Sequence, residues 1–100
     1  MEFGGIKAES KNKIVGILKV LFPEAKIYLY GSRARGDFRP QSDIDLAIDA
    51  GAGKERLRLG EAKGLMESLH IPQKIDLIDL NYASGEFREN ILKDRVLWSN

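Results

Sequence analysis

The run Asp43-Ile-Asp-Leu-Ala-Ile-Asp49 constrains this chain more than any other stretch. Successive side chains of a β-strand leave opposite faces. The alternation therefore sends Asp43 and Asp45 to one face, and Ile44, Leu46 and Ile48 to the other, into a core. Two carboxylates converging to about 4 Å repel by roughly 4 kcal/mol at an effective dielectric of 20. A cation between them, a shared proton or splaying into water would relieve this. A divalent metal is the first of these, and oxygen-only ligation by Asp selects a hard ion such as Mg²⁺.

A second apolar run carries another acid. Lys74 to Leu80 reads as a strand, with Asp76 set between Ile75 and Leu77, where an unpaired charge would be costly. If this strand pairs beside the first, Asp76 completes a three-carboxylate cluster. Asp79 is the alternative third carboxylate; it points to the opposite face or lies at the strand exit. Upstream, Lys26 to Tyr30 is aromatic and branched, and Gly31 bounds it. Ser32-Arg-Ala-Arg can open a short helix with Ser32 as cap, whose free N–H groups and dipole favour an anion. Gly31 lets backbone approach a phosphate closely, and Ser32 offers a hydroxyl. Metal plus helix terminus describe a triphosphate site.

The rest of the chain supplies the frame. Ser10 is the expected N-cap of a helix whose Ile14, Ile17, Leu18, Leu21 and Phe22 form one stripe, ended by Pro23. Gly31 to Ser42 is a polar turn and Ala50 to Gly53 a small-residue loop. Lys54 to Leu69 reads as a second long helix with Leu57, Ala62, Leu65, Met66 and Leu69 inward. Gly60 and Gly64 weaken it by roughly 1 kcal/mol each and suggest close packing. Ser84 is expected to cap a last helix through about Lys93 that buries Phe87 and Ile91. Val96-Leu97-Trp98 is a short apolar tail or terminal strand. The order α-β-β-α-β-α, behind a loose lead-in from Met1 to Glu9, implies an α/β (α+β) fold. Its small mixed sheet has three to four strands covered by helices.

The 100 residues fit a single domain spanning 1–100, with 43% hydrophobic and 31% charged residues. The chain has no cysteine, which excludes disulfides and thiolate metal sites. Met1 to Ile17 lacks a signal-peptide layout, and no stretch approaches the roughly 18–20 apolar residues of a membrane span. The expected location is cytoplasmic. A net charge of +1 argues against stable nucleic-acid binding, which draws its affinity from clustered cations. The local cluster of Arg33, Arg35 and Arg39 is sized for one phosphate-bearing small molecule instead.

Gly31-Ser32, ten residues, then Asp43-x-Asp45 resembles the signature of the DNA polymerase β-type nucleotidyltransferases. The fuller run Gly-Ser-Arg-Ala-Arg-Gly-Asp, followed by Ser-Asp-Ile-Asp-Leu-Ala-Ile, resembles their small stand-alone branch, the minimal nucleotidyltransferases. The likeness extends over essentially the whole chain. Four fixed residues at about 5–7% usage each would match by chance about once in 10⁵ registers, or roughly one chain of this length in a thousand.

The resemblance implies a nucleotidyltransferase fold and roles for individual residues. Gly31 and Ser32 would hold the β- and γ-phosphates of ATP or another NTP. Asp43 and Asp45 would bind two Mg²⁺ ions, and Asp76 the catalytic one, where it would also draw the acceptor proton. The implied reaction is in-line attack of a hydroxyl on the α-phosphate, releasing pyrophosphate. It further implies an antitoxin of a two-gene module, adding AMP to a tyrosine of a helical HEPN-domain partner. Chain length agrees, since no helical substrate-binding domain fits and a partner or second subunit must present the acceptor.

Blander readings compete at each position. Alternating aspartates alone more often mark a solvated face; Gly31-Ser32 upstream and Asp76 downstream overturn that. Arg33 and Arg35 are candidates for nucleotide binding, with a solvated turn as the rival, and Arg39 is a candidate partner of Asp37 or Asp43. Asp37 reads as a turn residue and Asp49 as a strand end. His70 reads as a helix-terminal residue, Tyr28 and Tyr30 as sheet residues, and Trp98 as packing or a partner anchor. Rival functions are transfer to a small-molecule acceptor across a homodimer, and a module that binds nucleotide and Mg²⁺ and acts by contact alone. A polymerase or tRNA-processing role finds no room for a template surface.

Overall fold

The architecture comes from a computed structural model, which describes residues 4–100. The first three residues of the expected lead-in lie outside the described range. The elements run α1 (Ala8–Leu21), β1 (Lys26–Tyr30), α2 (Ser32–Arg35), β2 (Ile44–Asp49), α3 (Gly60–Glu67), β3 (Ile75–Asp79), a 3-10 turn (Leu80–Tyr82), α4 (Gly85–Asp94) and β4 (Val96–Ser99). The strands form one mixed sheet in the order β3-β2-β1-β4. β1 pairs antiparallel with β2 and with β4, and β2 pairs parallel with β3. The apolar tail is thus the fourth strand, with Trp98 buried and Val96 and Leu97 exposed.

Side-chain alternation gives the sheet two unlike faces. One carries Ile27, Leu29, Ile44, Leu46, Ile48 and Leu77, packed with Ile14 and Leu18 of α1 and Ala62 and Met66 of α3. The other carries Tyr30 and Ala47, which pack with Leu80 of the 3-10 turn and Ile91 of α4 into a smaller cluster. Asp45 of β2 and Asp76 of β3 lie on this same face.

Several local expectations are corrected. α1 begins at Ala8 with Lys7 as N-cap and no side-chain cap, so Ser10 lies inside the helix. The buried Ile6 anchors the chain ahead of it, and Ala8 and Glu9 are good helix formers. The long helix expected from Lys54 shrinks to Gly60–Glu67. The Leu57 amide donates to the Asp79 carboxylate at 2.8 Å, and the Tyr82 hydroxyl donates to the Lys54 carbonyl at 2.8 Å. These tertiary bonds hold 54–59 in an irregular path from which Leu57 and Leu59 still reach the core. A Cβ on Gly60 or Gly64 would meet nothing within 4 Å, so neither glycine permits close packing here. Leu65 is partly exposed. Ser84 occupies the N-cap position of α4 without a side-chain bond, and Ile91 is buried as expected. Phe87 is 49% exposed, because its ring lies edge-on against Tyr30 (centroids 6.1 Å apart) on the outside of the smaller cluster. His70 takes φ 55° just past α3, the left-handed geometry that ends many helices. Among the described residues, no helix is long and apolar enough to cross a membrane.

Candidate active site

The site grows from the end of β1. Gly31 follows Tyr30 at φ 76°, ψ −156°, a conformation essentially restricted to glycine. That turn throws the chain off the sheet into α2, and the Gly31 carbonyl accepts from the amides of Ala34 and Arg35. A Cβ on Gly31 would lie 2.5 Å from Oδ2 of Asp45. The Gly31 turn and the Asp45 carboxylate are therefore in direct apposition, a geometry that a side chain at position 31 would disturb.

Register explains the pairing. Tyr30 sits opposite Asp45 in the β1–β2 ladder, and Asp45 sits opposite Asp76 in the β2–β3 ladder. Both aspartates share the second face, across from the main core. Asp43 stands exposed just before β2. The half-buried Asp45 carboxyl is pushed up from 3.8 to about 6, first by burial, then by the charges of Asp76 and Asp43, with Arg35 and Arg33 opposing. Burial and the same two carboxylates, Asp45 and Asp76, raise the Tyr30 phenol well above its ordinary value. Tyr30, read from sequence as a sheet residue, thus also borders the site. Its place beside Gly31 was the available signal.

Among the described residues, no three carboxylate or imidazole side chains are drawn together into a ready metal cage. Asp45 and Asp76 are register neighbours, and Asp43, exposed just before β2, is near enough for its charge to act on Asp45. Repulsion between like charges accounts for such an open arrangement. The donor set still fits a hard divalent cation, because it is all oxygen and Asp45 bears repulsion that a cation would relieve.

The arginines divide differently from expectation. Arg33 is 3% exposed and donates to the carbonyls of Gly4, Arg39, Pro40 and Ser42, with its guanidinium 4.8 Å from the Phe38 ring centroid. Its expected nucleotide contact is corrected, since the donors already serve the backbone. Arg35 is exposed and pairs with Asp37 (3.3 Å) and Asp94 (3.1 Å), joining α2 to the end of α4. Asp37 therefore pairs with Arg35 and not with Arg39. Asp79 accepts from the amides of Leu57 and Asn81, and Asp49 from Gly51 N and Asn81 Nδ2. Both organise loops at the far end of their strands, away from the Asp45–Asp76 pair.

Comparison with known proteins points to the same chemistry. The polymerase beta nucleotidyltransferase family model matches residues 12–100. The probable protein adenylyltransferase MntA of Haemophilus influenzae is 33% identical over 92 residues, covering 92% of this chain and 81% of that protein. The protein adenylyltransferase MntA of Shewanella oneidensis is 30% identical over 91 residues, covering 89% of this chain and 65% of that one. A crystal structure of a toxin–antitoxin with AMP-PNP superposes with a TM-score of 0.71 at 28% identity, covering 88% of this chain and 71% of that one. A glycine turn against one strand aspartate, a second aspartate in register beside it and a family match over nearly the whole length agree with one another: the chain belongs to the polymerase beta nucleotidyltransferases, as an enzyme of their minimal, MntA-like branch.

Proposed function

We propose that this enzyme transfers AMP from ATP to a protein hydroxyl, a tyrosine of a HEPN-domain toxin, and so serves as the antitoxin of a two-gene module. The observation that carries the reading is the apposition of Gly31, Asp45 and Asp76 on one sheet face. The adenylyltransferase relatives and the AMP-PNP-containing toxin–antitoxin neighbour support the choice of nucleotide and partner. Gly31 and Ser32 take the β- and γ-phosphates, with Gly31 giving the backbone access that a side chain would block. Arg35, exposed on α2 next to the turn, can exchange its carboxylate partners Asp37 and Asp94 for phosphate. Asp43, Asp45 and Asp76 hold Mg²⁺, which when bound supplies charge neutralisation and Lewis-acid stabilisation at the α-phosphate. Asp76, on the edge strand β3, faces the acceptor. The acceptor oxygen bonds to the α-phosphorus, the bond to pyrophosphate breaks, and the hydroxyl proton passes to the Asp76 carboxylate.

The test is incubation with labelled ATP, Mg²⁺ and the product of the neighbouring gene, followed by intact-mass analysis of that product. AMP addition that disappears in Asp43→Asn and Asp45→Asn is expected. Transfer persisting in those variants would overturn the metal assignment. Nucleotide binding without transfer to any protein would overturn the enzymatic role in favour of inhibition by contact.

A further inference from the structure

Arg33 and Asp79 are the buried polar or charged side chains among the described residues, and Arg33 is the buried cation. Among those residues no carboxylate forms an ion pair with Arg33; its cage is built of backbone carbonyls and the Phe38 ring. Burying a guanidinium without a paired carboxylate is costly even when its donors are satisfied, so a fold that keeps one gains something from its placement. What the guanidinium holds is specific. Nε and Nη2 both donate to the Ser42 carbonyl, at 3.1 and 3.0 Å, and Nη2 also reaches Pro40 and Arg39 at 2.9 and 3.3 Å. The Ser42 carbonyl belongs to the peptide plane that carries the Asp43 amide. Nη1 ties the Gly4 carbonyl at 2.9 Å, closing the cage from the N-terminal side.

Arg33 itself lies on α2, one residue beyond Ser32. A single planar fork therefore links the phosphate turn to the residue that opens the acidic strand, across the whole 31–43 connection. We propose that Arg33 is a positioning residue: without touching substrate, it fixes the peptide plane before Asp43 and so sets where that carboxylate stands relative to Gly31-Ser32. The inference rests on Asp43 being a metal ligand. A lysine keeps the charge but, as a single point donor, cannot hold two edges of one carbonyl cage at once.

The experiment compares Arg33→Lys with the wild type in three readouts: Mn²⁺ affinity by titration of the nucleotide-free protein, amide exchange of residues 39–43 without metal, and the kcat and KM of AMP transfer. Supporting residues behind metal ligands typically change affinity by about 10–100-fold. The expected result is Mn²⁺ binding weakened at least about tenfold and faster exchange at Ser42, whose amide bonds the Arg39 carbonyl. Transfer should recover at saturating metal, with KM for nucleotide within about twofold of wild type. A folded Arg33→Lys with unchanged Mn²⁺ affinity and unchanged kcat would overturn the proposal. Phe38→Leu, which removes the ring face under the guanidinium, is measured alongside in case the lysine variant does not fold; it should shift affinity in the same direction by a smaller factor, and no shift overturns the proposal. Asp43→Asn separates the two levels of failure. Unchanged Mn²⁺ affinity there refutes the ligand reading itself, whereas lost affinity there with none lost in the Arg33 and Phe38 variants refutes the clamp alone.

Discussion

Asp45→Asn should make the metal-free protein more stable while abolishing transfer. The half-buried Asp45 carboxyl is raised from 3.8 to about 6, mainly by burial and then by Asp76 and Asp43. A group whose folded value exceeds its unfolded one binds its proton more tightly when folded, so its ionisation works against the fold. That cost is absent below about pH 3.8, where both states are protonated. It grows as pH rises between 3.8 and 6 and is fully present above 6. The difference corresponds to about 3 kcal/mol, at about 1.36 kcal/mol per tenfold change in proton affinity. Partial solvation of the carboxyl screens it to on the order of 1–2 kcal/mol. An amide removes the charge at nearly constant volume and should recover most of this.

A domain of this size shifts in Tm by about 4–8 °C per kcal/mol. Thermal unfolding in EDTA at pH 7.5 should therefore show Asp45→Asn about 5–10 °C above wild type, with the gap closing as pH falls through 6 toward 4. Adding Mg²⁺ offsets most of the gap. At ten times its Kd the ion returns about 1.4 kcal/mol to a protein that binds it only when folded, and the variant should gain little. A variant less stable than wild type in EDTA at pH 7.5, or a gap that widens on acidification, would refute the reasoning, because the carboxylate would then be held by favourable contacts.

Gly31→Ala should cost about 1–3 kcal/mol, since the backbone conformation is glycine-restricted and the new Cβ would lie 2.5 Å from Asp45 Oδ2. Thermal melts and a MgATP titration check it: both stability and nucleotide binding should fall, and a silent substitution would refute the apposition. Asp79→Ala should cost about 1–3 kcal/mol by orphaning the amides of Leu57 and Asn81. Hydrogen exchange at Leu57 should accelerate, while folded protein retains the transfer activity that Asp76→Asn loses. The opposite pattern would make Asp79 the third carboxylate.

The parts of this molecule legible in the sequence are those whose geometry is local or periodic. Ile14 and Leu18 recur at helical spacing and are buried. Ile44, Leu46 and Ile48 alternate with Asp45 and do face the core while Asp45 does not. Errors gather where a distant group takes over a backbone donor. Residues 54–59 have helical composition, but the Asp79 carboxylate captures the Leu57 amide from the far side of β3, and no window of sequence contains both. Arg33 misled in the same way. An arginine beside a glycine-serine turn reads as a phosphate ligand, yet its donors meet carbonyls from Gly4 and from 39–42.

The site divides along the same line. Gly31 and Asp45 are fourteen positions apart, but antiparallel pairing of Tyr30 with Asp45 turns that spacing into contact. A motif with a fixed gap works because the gap is one hairpin connection, and its length sets which carboxylate meets the turn. Asp76 arrives by another route, through a crossover from β2 that includes α3 before β3 pairs parallel. The length of such a crossover is loosely tied to register, since its intervening segment can be helical or irregular without moving the strand. A one-residue slip in β3 would replace Asp76 with Ile75 or Leu77 opposite Asp45, and would turn a charge into the main core. The hydrophobic pattern of β3, with Leu77 and Ile75 against the core and Asp76 away from it, is what forbids that slip. Core packing on one face therefore determines which acid stands beside Asp45 on the other, and the chemistry of this site is specified by aliphatic residues that never touch it.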